Sequence, residues 1–218
     1  TELTPEQIHQ IGLDEVARIT AEFEKVKAQV GCEGDLQAFF RFMNEDVRFA
    51  FKSEQDVLDQ YNALRGRIEP NIPSQFSLLP KAGFEVKLVE PFRAASAPAA
   101  SYQAPSQDGT RPGVFYANAF NLPSRRTWET ESIFLHEAIP GHHFQIALQQ
   151  ELAGLPAFRR FGGETAYVEG WGLYAESLGR DLGVYTDPYQ YFGRLAAEIW
   201  RANRLVGDTG LHAKGWTR

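Results

Sequence analysis

The chain has 218 residues, 43% of them hydrophobic, a formal net charge of −6 and one cysteine, Cys32. That length buries a core in one large domain or two small ones, and the negative charge argues against nucleic acid as a partner. A single cysteine excludes an internal disulfide and a cysteine-based zinc site, and no apolar run reaches the length of a membrane span.

The chain opens on a helix signal. Thr4-Pro5-Glu6-Gln7 supplies an N-cap, a proline at the first helical position and the glutamine of a capping box. Ile8 and Ile11 begin an apolar stripe, Gly12 interrupts it, and Leu13, Val16, Ile19, Phe23, Val26 and Val30 continue it to Gly31. His9 stands alone in this stretch and reads as a packing or surface residue. Residues 35–43 form a second predicted helix crowded with Phe39, Phe40 and Phe42, and Ser53-Glu54-Gln55-Asp56 caps a third carried by Val57, Tyr61 and Leu64.

From residue 70 to 123 the helical periodicity gives way to proline, glycine and serine. Phe84, Val86 and Leu88 alternate with polar residues and predict a strand. Residues 94–106 predict a surface loop, and residues 113–119 a second strand, so a small antiparallel sheet is expected. Residues 127–152 predict a helical segment broken at Pro140-Gly141. Gly162-Gly163 opens a helix carrying Glu169 and Glu176, seven residues apart and so on one face. Asp187-Pro188 starts a last helix to about Val206, and Asp208-Thr209-Gly210-Leu211-His212 reads as a turn. The chain stops at Trp216-Thr217-Arg218 without a closing feature, and a fragment of a longer protein is expected.

Chemistry concentrates in His136-Glu137-Ala138-Ile139-Pro140-Gly141-His142-His143, which holds three of the five histidines. Neutral imidazoles bind zinc, and a carboxylate beside them serves as a general base toward water. The familiar helical form places two histidines four residues apart, whereas here the fourth position is Pro140. In an unbroken helix the six residues from His136 to His142 turn through about 600°, so the two rings would diverge. His143 would share a face with His136 but lie about 10.5 Å along the axis. Pro140 has no N–H to give the His136 carbonyl, and Gly141 tolerates unusual backbone. A break there would bring His142 back toward His136. A catalytic zinc takes three protein ligands. Glu169 on the following helix is the best-placed third, and Glu176 is placed to orient a ligand histidine from behind.

His136-Glu137-x-x-Pro140-Gly141-His142-x-x-Gln145, followed by Glu169-Gly170-Trp171-x-x-Tyr174-Ala175-Glu176, resembles the bacterial domain-of-unknown-function family 885, whose members are often described as lipoproteins and are longer than this chain. The resemblance also covers Thr4-Pro5-Glu6 and Asp208-Thr209-Gly210-Leu211-His212. The family in turn resembles the gluzincin peptidases, in which two histidines and a glutamate hold zinc and the glutamate after the first histidine is the base. The resemblance favours His142 over His143 as second ligand, since His143 occupies a position that varies in the family. It implies a mainly α (α+β), zincin-like single domain over 1–218, with a helical part (1–70), a small antiparallel sheet with loops (71–125) and a metal-binding helical part (126–218).

The expected function is zinc-dependent hydrolysis of a peptide bond. His136, His142 and Glu169 hold the metal and Glu137 is the base. His212, Tyr174 and Arg204 are candidate oxyanion donors, with His212 first. Tyr116 and Asn118 pair with an extended substrate backbone, and Glu176 and His143 support the ligands. A metal-dependent hydrolase of another amide or ester, and a zinc-stabilised binding domain without turnover, are the alternatives. The family resemblance implies a periplasmic or cell-envelope location and allows a lipid anchor on the full-length protein; a cytoplasmic location is the alternative.

Overall fold

The computed structural model describes residues 1–217; Arg218, part of the expected chain end, lies outside the described residues. Helix α1 (Pro5–Gln29) begins with the expected capping box. Gln7 N–H reaches the Thr4 hydroxyl at 3.2 Å, and Gln7 Oε1 accepts the Thr4 N–H at 2.8 Å. Helices α2 (Leu36–Glu45) and α3 (Glu54–Ile68) follow, capped by the side chains of Asp35 and Ser53. A short α4 (Ile72–Gln75) leads to strand β1 (Phe84–Leu88), the short α5 (Pro91–Ala94), β2 (Ala100–Gln103) and β3 (Gly113–Ala117). Helices α6 (Thr130–Glu137), α7 (His142–Glu151), α8 (Ala157–Phe161), α9 (Thr165–Ser177) and α10 (Pro188–Ala213) complete the chain. The mainly helical α+β class is as expected.

Four local expectations are corrected. The sheet is mixed, not antiparallel: its order is β1-β3-β2, with β1 parallel and β2 antiparallel to β3. Part of the expected loop over 94–106 is strand β2. Gly12, read as a gap in the apolar stripe, is buried on the packed face of α1 and lets that helix lie against α10, since a Cβ there would stand 2.8 Å from Val206 Cγ2. Finally, α10 runs past Val206 to Ala213, so the turn expected at Asp208–His212 is helix.

Two apolar clusters hold these elements. Ile19, Phe23 and Val26 of α1 meet Phe39, Met43, Trp128, Phe192 and Leu195, and the Trp128 indole N–H is satisfied by the Met43 carbonyl at 2.8 Å. The second cluster joins α3, the sheet, α6 and α7. Its centre is Phe115 of β3, fully buried, with ring centroids 4.7 Å from Tyr61 and 5.7 Å from Phe134. Fully burying an aromatic or aliphatic side chain contributes about 1.5–3 kcal/mol. The α6 helix is therefore clamped on the sheet side by Phe134 and Leu135, and its last turn is a rigid platform for His136. Among the described residues no helix is long and apolar enough to cross a membrane.

Candidate metal centre

Helix α6 stops at Glu137. Ala138 leaves the helical region (φ −102°, ψ −99°), the Ile139–Pro140 peptide is cis, and α7 begins at His142. The Phe144 N–H reaches back to the Ala138 carbonyl at 3.4 Å and the Gln145 N–H to Gly141 at 3.0 Å, so the chain closes on itself before resuming as helix. A side chain at Gly141 would overlap the His136 carbonyl, so only glycine fits there. The turn is fixed from outside by Trp171 of α9, whose indole N–H donates to the Pro140 carbonyl at 2.7 Å. The outcome is the one the spacing demanded: the His136 and His142 rings lie 4.6 Å apart, centroid to centroid.

Helix α9 brings the third group. Gly172 lies against the His136 ring, where a Cβ would come 2.5 Å from Cε1. Glu169, one turn earlier, then reaches both imidazoles: Oε2 is 3.3 Å from His136 Nε2 and Oε1 is 3.7 Å from His142 Nε2. One ligand atom from each of the three residues lies within 4.8 Å of the others. With bonds of about 2.0–2.1 Å, two donors on a tetrahedral zinc stand about 3.3–3.4 Å apart, so the set fits that ion. The donor chemistry, two imidazoles and one carboxylate, fits it as well.

Glu176, 3% exposed, stands behind His136. Its Oε1 accepts from His136 Nδ1 at 2.8 Å and its Oε2 from the Ser132 hydroxyl at 3.0 Å. The Nδ1–H bond fixes the tautomer that leaves the Nε2 lone pair toward Glu169. Burial works to lower the His136 imidazole, but the hydrogen bond and charge of Glu176 outweigh it and hold the group above its usual value. Burial and the neighbouring His136 charge push His142 down to about 4, so it is neutral and able to ligate at neutral pH. Its buried Nδ1 has no hydrogen-bond partner among the described residues. Burial pushes the Glu137 carboxyl up to about 6; the Glu169 and Glu176 charges add to this and His136 offsets it. A carboxyl poised there is suited to exchanging protons near neutral pH.

The other sequence-selected residues lie elsewhere. His143 is not part of the His136, His142 and Glu169 group; it is buried against Phe84 (4.7 Å between rings), with Nδ1 2.9 Å from the Tyr102 hydroxyl, and ties α7 to the sheet. Tyr116 sits on β3, the central strand, whose backbone is already paired on both sides, and its ring lies under Arg93 at 4.6 Å. Asn118 follows that strand and is buried. Its amide donates to the carbonyls of Ala94, Ala97 and Pro98, so its side chain holds a turn and has no free donor for a substrate. Tyr174 is half-exposed beside the Trp171 ring at 5.5 Å. Arg204 is exposed and stacks on Trp200 at 5.4 Å. His212 is exposed on the last turn of α10, with Nε2 3.7 Å from Asp208 Oδ1. It does not swing back toward the histidine pair, because the helix continues through it.

Sequence reasoning missed Ser132 and Arg201, and placed Trp171 in a motif without giving it a role. Ser132 is one turn before His136 on the same face of α6 and was accessible by that spacing. Arg201 comes from α10 and pairs with Glu176 Oε1 at 2.8 Å; no local pattern links it to residues 25 positions away.

None of the curated proteins matches this chain. A crystal structure described as that of a putative lipoprotein from Colwellia psychrerythraea is similar, with 39% sequence identity and a TM-score of 0.93. The match covers 100% of this chain and 38% of that one, so the chain spans about two fifths of the length of this solved relative. The family model for "bacterial protein of unknown function (DUF885)" matches residues 1–218, and the chain belongs to that family.

Proposed function

We propose that this chain carries the centre of a zinc-dependent hydrolase, with a peptide as substrate. The observation that carries the reading is the convergence of His136, His142 and the Glu169 carboxylate within 4.8 Å, beside the half-buried Glu137, whose pKa is raised. His136, His142 and Glu169 would hold the ion. When bound, zinc supplies a Lewis acid that polarises a carbonyl and lowers the pKa of water toward about 7. The Glu137 carboxylate accepts a proton from the attacking water and returns it to the leaving amine. Glu176 keeps His136 in the ligating tautomer. The likeness of His136-Glu137, His142 and Glu169 to the ligands and base of gluzincin peptidases supports the same assignment.

The Glu169 side chain is 54% exposed, so the centre keeps an open side. This favours turnover over a closed structural site, in which all four positions belong to the protein. An extended substrate would pair with β2, an edge strand in contact with α6 and α7, and not with the central β3. Tyr174, on the same helix as Glu169, is the oxyanion donor retained from the sequence. A cell-envelope location is proposed from the lipoprotein description of the Colwellia relative.

Glu137→Gln tests the reading. It keeps size and hydrogen-bonding capacity and removes the base. The variant should retain zinc and fold and lose at least about 10²-fold in peptide hydrolysis. Equal turnover by variant and wild type would remove Glu137 from the mechanism.

A further inference from the structure

Glu176 is tied to three helices at once. It belongs to α9, accepts from Ser132 and His136 of α6, and pairs with the Arg201 guanidinium of α10. Arg201 is itself fixed: Nη1 donates to the Ala197 carbonyl one turn back at 3.0 Å, while Nη2 forms an ion pair with Glu176 Oε1 at 2.8 Å. The same Nη2 lies 3.3 Å from His136 Nδ1. With Nδ1 protonated, the imidazole N–H donates to Oε1 and the guanidinium faces the same oxygen as its ion-pair partner.

A carboxylate this deeply buried is costly to ionise without a cation beside it. Glu137 and Glu169 add two further carboxylates nearby, and Arg201 is the cation in direct contact with Glu176. With Arg201 in place, the three carboxylates and one divalent ion sum to zero charge. Ser132 alone holds Oε2 only through a rotatable hydroxyl. The planar guanidinium, anchored at two of its nitrogens, restricts the carboxylate more tightly than a single flexible donor.

We propose that Arg201 is a positioning residue: it locks the Glu176 carboxylate against His136 Nδ1 and so keeps the His136 Nε2 lone pair aimed at the metal. The proposal rests on the zinc reading of the site and adds a residue from outside its motifs. It separates cleanly from a pure charge effect. Removing a cation next to a metal site strengthens the binding of another cation by Coulomb's law alone. Loss of affinity on removing Arg201 therefore reports lost positioning.

The test compares wild type with Arg201→Gln and Arg201→Lys, with folding checked by circular dichroism. Two quantities are read: zinc affinity by competition with a chelator, and the tautomer of His136 by nitrogen-15 NMR of the metal-free protein at pH 8. Wild type should show a single Nδ1-protonated His136. Arg201→Gln should show a mixture of tautomers and bind zinc about 10-fold or more weakly, the scale for partners that orient a ligand. Arg201→Lys keeps the charge but not the fork and should fall between the two. An Arg201→Gln protein with the wild-type tautomer, or with zinc affinity equal to or above wild type, overturns the proposal. A wild-type chain that takes up no zinc would remove the zinc reading, and the tautomer would then decide the role of Arg201 by itself.

Discussion

Near the C-terminal end of α10 the buried His9 ring lies 2.8 Å from Thr209 Oγ1 and edge-on to Trp216, 5.4 Å between centroids. The Thr209 hydroxyl gives its one proton to the Leu205 carbonyl at 2.6 Å, so His9 Nδ1–H is the donor of the pair. Where α6, α7 and α9 meet, His136 and His142 are buried to a similar degree, but their Nε2 atoms face each other and Glu169. One end spends its histidine on packing and local hydrogen bonds. The other withholds pairing from two nitrogens and leaves His142 Nδ1 without a partner among the described residues. Burial alone does not separate a structural histidine from a ligand; the direction of its unspent lone pair does.

The strongest way to break this contrast is to insert one methyl group at each end. Gly141→Ala places Cβ on the His136 carbonyl, so the turn between α6 and α7 has to open. Zinc titration should then show loss of tight binding, together with a large fall in Tm. Gly12→Ala places Cβ 2.8 Å from Val206 Cγ2 and forces α1 from α10. It should cost about 1–3 kcal/mol by denaturant unfolding and leave zinc affinity unchanged. Equal loss of zinc in both variants would erase the distinction between the two ends.

A smaller effect is expected from Thr209→Val, which leaves His9 Nδ1 buried without its acceptor. Urea unfolding should register about 1–3 kcal/mol of destabilisation, with zinc binding as in wild type. Weaker zinc binding would mean that the His9 end communicates with the metal centre.

The smallest effect is a pH dependence. Burial pushes His143 from 6.5 down to about 4, so the unfolded chain takes up its proton before the folded one does. His143 therefore withdraws stability as pH falls from 6.5 toward about 4 and has no such effect above that range. In metal-free protein, wild type should lose stability across this window relative to His143→Leu, and the variant should still bind zinc at neutral pH. Parallel melting curves at pH 7.5 and pH 5 would contradict the sign.

Much of this was legible in the sequence because it is local. The caps at Thr4, Ser53 and Asp187 set helix starts through side chains within three residues of the ends they serve. The break at Pro140-Gly141 followed from a missing N–H and a forbidden Cβ. What escaped is non-local. The parallel pairing of β1 with β3 depends on β2 closing the far side of the sheet, and the intervening sequence reads only as small and polar. Gly210 looked like a turn residue, yet it sits inside α10 where the Trp216 ring packs against it. Asn118 looked like a substrate donor beside a strand, and its three carbonyl partners lie 20 to 24 residues upstream. Arg201 carried no motif at all, because its role is set by how α10 packs on α6 and brings Arg201 to Glu176.

The central claim is that His136, His142 and Glu169 together form one zinc site. Elemental analysis of the purified wild-type chain, His136→Ala and Glu169→Ala, each equilibrated with zinc and freed of loosely held ion, tests it most directly. A three-residue site holds one equivalent in wild type and none tightly in either variant. Wild-type occupancy surviving in both variants would contradict it.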